Sequence, residues 1–380
     1  MSKLKANGSA APPALVVPYP RRLGASAHDI ASHRSLAGKL ATVLGCPCVL
    51  DYEPGGDARP GRERIYYVPA MTLGAPAAER LGIGNEADLY GGVVPYEFVA
   101  TKAISHPVLE RAHAAPPPGW EARLGERLRG CVLQGYTVFS CQDALRAGAL
   151  LLRDGPVRIK PVHATAGRGQ LTAHDEADLR AAVRSLDESE FAQCGLVLEE
   201  HLEDVDTYSV GVARLPGLCA SYVGTQRLTR DNQGAAVYGG SDMIFVRGDL
   251  DVLAARHWPA ALRHAIGLAM QYDRAIELSY PGFYASRRNY DVAGGRNAQG
   301  QYRYGVLEQS WRAGGASMGE ACALEAFAAD AGLTRVRART TESYGEGSGE
   351  PADALLIYDD DDPFVGRIRK SAGVVRHGHE

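Results

Sequence analysis

Lysine is scarce in this chain, although arginine is plentiful. Among 380 residues only Lys3, Lys5, Lys39, Lys102, Lys160 and Lys370 occur. Each interior lysine is therefore informative, because a compact ammonium on a flexible stem does a different job from a planar guanidinium. An excess of positive charge is also missing. The net charge of -4 gives no general attraction to nucleic acid or to an anionic membrane, so neither is expected as a partner. A phosphate-binding cleft would need locally placed cations. No apolar run reaches transmembrane length. Met1 to Pro13 is small and polar without an apolar core, so no secretory signal is expected and a cytoplasmic protein is. The seven cysteines are dispersed and odd in number, with Cys46-Pro47-Cys48 the only close pair. A second cluster at zinc-ligand spacing is lacking, which leaves small buried hydrophobes in a reducing compartment as the expectation.

What is present suits a globular chain of two or three lobes around a cleft: 45% hydrophobic, 23% charged and too long for one small core. Residues 1–13 read as a disordered tail. A strand over Ala14–Val17, a helix over His28–Leu44 and short strands at 48–50 and 65–68 describe a small α/β lobe over residues 14–99. Further helices are expected over Gln142–Leu152, Leu179–Ser185, Trp258–Tyr272 and Glu320–Ala331. Strands are expected over Val157–Pro161, Leu196–Glu200, Tyr208–Val212 and Ala354–Tyr358. Thr225–Asp242, polar and glycine-bearing, reads either as a functional loop or as a long surface connection. Asp359–Asp362 lacks the alternating ligands and glycine of an EF-hand loop and reads as a solvated acidic turn. With the arginines that follow, it makes residues 359–380 an acidic turn and basic tail.

The most informative stretch is Asp291 to Ser317. Two short apolar strands flank a glycine-rich turn through Gly294, Gly295 and Gly300, with Asp291 in the first strand and Glu308 in the second. Antiparallel pairing could bring both carboxylates onto one face. Such a pair repels unless a cation or proton lies between, and magnesium is a hard cation that takes oxygen ligands. The alternative is a plain surface hairpin with scattered charges. Upstream, Lys160-Pro161 ends a strand before Ala164-Thr165-Ala166-Gly167-Arg168-Gly169-Gln170, where glycines permit close backbone approach to phosphate. The spacing is neither that of a P-loop nor of a Rossmann fingerprint; an ordinary β-turn is the alternative.

Taken in order, these segments resemble the ATP-grasp superfamily over about Thr101 to Ser317. The resemblance implies an α/β (α+β) fold: the N-terminal lobe, a central lobe over residues 100–200 and a C-terminal lobe over residues 201–358, the last two clamping a nucleotide. It implies ATP and magnesium (Mg2+) as cofactors. Asp291, Glu308 and Ser310 would hold the metal, although the family usually has Asn at the Ser310 position. Lys102, Lys160 and the loop with Gly167, Arg168 and Gly169 would meet the phosphates. Glu199, Glu200, His201 and Leu202 would form the adenine hinge, and Asp206 or Glu203 would hold the ribose. Arg312, with Arg288 as a further candidate, would stabilise spreading charge. The implied activity is ligation of a small-molecule carboxylate to an amine through an acylphosphate. A small-molecule kinase and an inactive nucleotide-binding regulatory module remain open, and a homo-oligomer is compatible with all three.

Overall fold

The structure is a computed structural model that describes residues 12–54, 64–163, 169–345 and 354–378. Its centre is an eight-stranded sheet. Across it run Tyr302–Ser310, Arg287–Arg296, Glu203–Leu215, Leu218–Arg230, Ala236–Arg247, Arg335–Tyr344, Gly366–Gly378 and Leu355–Asp362. Every neighbouring pair is antiparallel. Alternate side chains therefore face opposite layers. The helix Ala260–Ser279 covers one face, where Ala265, Ile266, Ala269, Tyr272 and Ile276 recur at helical spacing and are buried. Ser317–Ala329 covers part of the other face and packs in turn against Ala27–Leu44.

The central lobe is a separate antiparallel sheet in the order Gly135–Val138, Leu196–Glu200, Val157–Pro161, Leu171–Ala173. Cys141–Leu151 and Glu176–Ser185 pack on it around Ala147, Leu151, Leu179 and Val183. Gly148 is required there: a Cβ at that position would lie 2.5 Å from the Leu179 side chain.

In the N-terminal lobe Leu15–Val17 pairs in parallel with Ile65–Tyr67. Ala27–Leu44 begins at Ser26, whose hydroxyl accepts from Asp29 N, and ends at Gly45 with φ 68°. This lobe does not close at Val99. Its strand Gly92–Val94 pairs on one side with Leu73–Gly74 and on the other with Tyr284–Ala285 from the C-terminal half.

Two further expectations are corrected. Thr225–Asp242 is not a loop but most of a long hairpin between Leu218–Arg230 and Ala236–Arg247. Residues 359–378 are not a turn and tail: Leu355–Asp362 and Gly366–Gly378 form a hairpin that extends the large sheet. The apparent charge blocks are the two sides of a ladder, with Asp359 opposite Arg369 and Asp361 opposite Arg367. Opposite charges across strands favour pairing, a relation that reading along one strand does not reveal. None of the seven cysteines is in a disulfide; Cys131 and Cys322 are buried and the others half-buried. Among the described residues no helix is long and apolar enough to cross a membrane.

Candidate active site

Asp291 and Glu308 stand directly opposite each other on neighbouring strands. A register shift between Asp291 and Val292 leaves Leu307 as the extra residue of the Glu308 strand. Burial, followed by repulsion from Glu308, pushes the Asp291 carboxyl up to about 7. A 2.8 Å bond from Gln226 Nε2 to Asp291 Oδ1 and the cations Arg287 and Lys102 oppose that rise. Glu308 responds the other way. Burial disfavours its charge, but the Lys102 ammonium, 2.7 Å from Oε2, outweighs burial and lowers its pKa.

Lys102 is brought there by its own turn. Thr101 Oγ1 accepts from Ala103 N and starts a short 3₁₀ helix, Lys102–Ser105. The Gln309 amide, next to Glu308 in sequence, donates to the carbonyls of Val99 and Thr101 at 3.1 and 2.7 Å. Sheet and turn are thereby locked together, with the lysine over the carboxylate.

Lys160 joins from the central lobe. Its ammonium donates to Glu199 Oε1 at 2.9 Å and to Leu307 O at 3.2 Å. Buried His106 donates through Nε2 to the other Glu199 oxygen at 3.1 Å. Burial works against charge on Glu199, but Lys160 and His106 prevail and hold it down at about 2. The Leu307 carbonyl places Lys160 one residue from Glu308, where the two sheets meet.

At the hinge, Glu200 N donates to Gln134 O and His201 N to Pro156 O. Among the described residues Leu202 N has no such backbone acceptor, while the Leu202 side chain is buried against Leu133 and Ala293. Burial, then Arg158, lowers the His201 pKa. The Glu200 carboxylate accepts from Gln134 N and Arg303. Asp206 is exposed on the following strand, as is Glu203. Gly169 has φ 71°, a conformation that favours glycine. Gly167 and Arg168 lie outside the described residues.

The arginines separate. Arg312 is two residues beyond Ser310; burial, then Arg287, lowers its pKa, and Glu308 pulls the other way. Arg288, by contrast, points to the opposite face of its strand, where Asp273, Glu277 and Glu86 surround its guanidinium. The structure does not bring it to Asp291, because strand alternation sends neighbours to opposite faces. The residue on the Asp291 face is Arg287, which is buried. It donates to Glu320 through Nε and Nη2 and to Ser310 O, Ser310 Oγ and Arg312 O through Nη1. Tyr90 and Tyr222 also donate to Glu320, Tyr222 at 2.7 Å.

Sequence reasoning missed Arg287, Asn289, Gln226, His106 and Glu320. Period-two counting back from Asp291 would have found the first two. A lone carboxylate amid the apolar run Ala316–Leu324 would have flagged Glu320. Gln226 and His106 reach their partners only through tertiary contacts.

This arrangement, a four-stranded and an eight-stranded antiparallel sheet that meet where Lys160 bonds the Leu307 carbonyl, is the ATP-grasp fold. The chain belongs to the family described as "Protein of unknown function (DUF3182)", whose model matches residues 16–372. Carboxyaminoimidazole ribonucleotide synthase from Aspergillus clavatus, solved with ATP, is similar at 13% identity and a TM-score of 0.50, over 95% of this chain and 93% of that one. Biotin carboxylase from Campylobacter jejuni is similar at 11% identity and a TM-score of 0.49, over 95% of this chain and 87% of that one. D-alanine–D-alanine ligase from Bacillus anthracis is similar at 12% identity and a TM-score of 0.44, over 78% and 86%. No curated protein matches.

Proposed function

We propose that this chain is an ATP- and magnesium-dependent ligase that activates a small-molecule carboxylate as an acylphosphate for attack by an amine. The observation that carries the reading is Asp291 facing Glu308 across one ladder, with Lys102 on Glu308 and Lys160 one residue away. The donor set fits a hard divalent cation. It consists of carboxylate oxygens, and Asp291 ionises reluctantly until a cation offsets burial and Glu308. Asp291 and Glu308 would hold magnesium there, and it would supply neutralisation of the phosphate charge.

The rest of the chain supplies position and charge, on which phosphoryl transfer mostly depends. The Leu202 amide is the donor for an adenine edge, with Glu199, Glu200 and His201 shaping the hinge. Asp206 or Glu203 takes the ribose hydroxyls. Lys102, Lys160 and residues Gly167, Arg168 and Gly169 serve the phosphates, and Arg312 the transferred group. A carboxylate oxygen of the substrate attacks the γ-phosphorus, the bond to the ADP oxygen breaks and ADP leaves. The amine nitrogen then attacks the acyl carbon, phosphate departs and the amine loses a proton. ATP in the Aspergillus clavatus structure of the same fold supports the choice of nucleotide.

The test uses ATP, magnesium and a pool of ¹⁸O-labelled carboxylates with and without amines. The ligase reading requires amine-dependent release of phosphate carrying one ¹⁸O. A stable phosphorylated product without phosphate release would identify a kinase. One observation favours an inactive regulatory module: Ser310 replaces the usual Asn, and its hydroxyl is engaged by Arg287. That module would bind ATP without turnover. No melting shift and no binding heat at millimolar ATP would remove all three readings.

A further inference from the structure

We propose that Asn289, not Ser310, supplies the neutral oxygen that completes the metal–phosphate site, from the strand that carries Asp291. The inference rests on the ligase reading above. Asn289 is paired in register with Ser310 and lies two residues before Asp291, on the same face. Directly opposed residues of an antiparallel pair have Cβ atoms only about 5 Å apart, so an amide on either strand can reach the same point above the sheet.

The two side chains are prepared differently. Ser310 Oγ accepts from Arg287 Nη1 at 3.2 Å, and the same nitrogen donates to Ser310 O and Arg312 O. Arg287 is fixed by Glu320 in a buried pair. A hydroxyl already bonded to a guanidinium is a poor ligand for a second cation, since the two positive charges would share one small oxygen. Among the described residues Asn289 has no such competitor. Its Nδ2 donates to Ser209 Oγ at 2.7 Å, and Ser209 lies opposite Asp291 on the next strand. That bond orients the amide and leaves Oδ1 as a neutral, hard acceptor on the face of the two carboxylates, the kind of oxygen magnesium takes. Arg287 thus belongs to the scaffold that carries Ser310 and Arg312, while Asn289, Asp291 and Glu308 form the donor set.

The experiment measures Mn2+ binding to the ADP complex of the full chain by electron paramagnetic resonance, with Mn2+ as the probe for magnesium. Asn289→Ser is expected to weaken Mn2+ binding by about ten-fold or more, the scale on which metal sites lose affinity when a supporting group goes. Ser310→Ala is expected to stay within about two-fold of the unaltered protein, because the hydroxyl is not a ligand. Asn289→Asp, nearly isosteric, keeps an oxygen in place and adds charge, so it binds Mn2+ at least as tightly. If Asn289→Ser does not fold, Asn289→Asp decides, and weaker binding in it would overturn the inference. Unchanged affinity in Asn289→Ser, or an equal loss in Ser310→Ala, would do the same while leaving the ligase reading standing. An unaltered protein that binds ADP but no Mn2+ would overturn both.

Discussion

Replacing Asp291 by Asn should make the nucleotide-free protein more stable at alkaline pH and leave it incapable of metal-dependent chemistry. The Asp291 carboxyl is raised from 3.8 to about 7 in the folded chain, first by burial and then by Glu308. The sign follows from proton counts. Between those values the folded state keeps a proton that the unfolded state has lost, so stability falls as pH rises and levels off above about 7. Asn cannot ionise and escapes this loss. From pH 5 to pH 8 the window contains about two units of the shift, which at about 1.4 kcal/mol per unit is roughly 2–3 kcal/mol. The stability difference between Asp291→Asn and the unaltered protein should widen in favour of the variant by about that much over this range.

Urea unfolding at closely spaced pH values, without metal or nucleotide, measures the difference directly. Adding magnesium and ATP should then stabilise the unaltered protein much more than the variant, because only the carboxylate gains from the cation. A stability difference that is flat with pH would refute the reasoning, since Asp291 would then titrate alike in folded and unfolded chains. A difference confined to below about pH 4, with the unaltered protein gaining as pH rises, would show that the Gln226 bond and the nearby cations dominate instead.

Three further outcomes are expected. Glu308→Gln should fold yet lose about a hundred-fold or more in turnover, read as phosphate release, because charge in the transition state goes uncompensated and Lys102 loses its partner. Lys160→Ala should weaken ATP binding in calorimetry and also lower the melting temperature, since it leaves Glu199 buried beside His106 without the ammonium, a defect worth about 3–5 kcal/mol. Arg288→Ala should lower the melting temperature by stranding Asp273 but leave Mn2+ affinity for the ADP complex unchanged; a selective loss of metal binding would return Arg288 to the site.

The parts of the fold that read correctly from sequence are those set by local periodicity. The helix expected over Trp258–Tyr272 carries its apolar stripe in the order of its residues, although it runs over Ala260–Ser279, and the Asp291 and Glu308 strands announce themselves by short apolar runs around a glycine turn. What failed was information held between strands. Asp359–Asp362 and the arginines after it looked like unrelated charge blocks, because cross-strand pairing joins residues that are remote along the chain. The same limit governs the site. Motif reading compares residues at fixed offsets, and at the Ser310 offset it registers a missing amide. The sheet compares residues by register and face, and there the opposed position is Asn289. Choosing Arg288 over Arg287 is the one-residue version of this error, because a shift of one along a strand exchanges the two faces of the sheet. A position in a β-hairpin is therefore compared with the residue across the ladder, and in this hairpin Asn289, Asp291 and Glu308 share a single face.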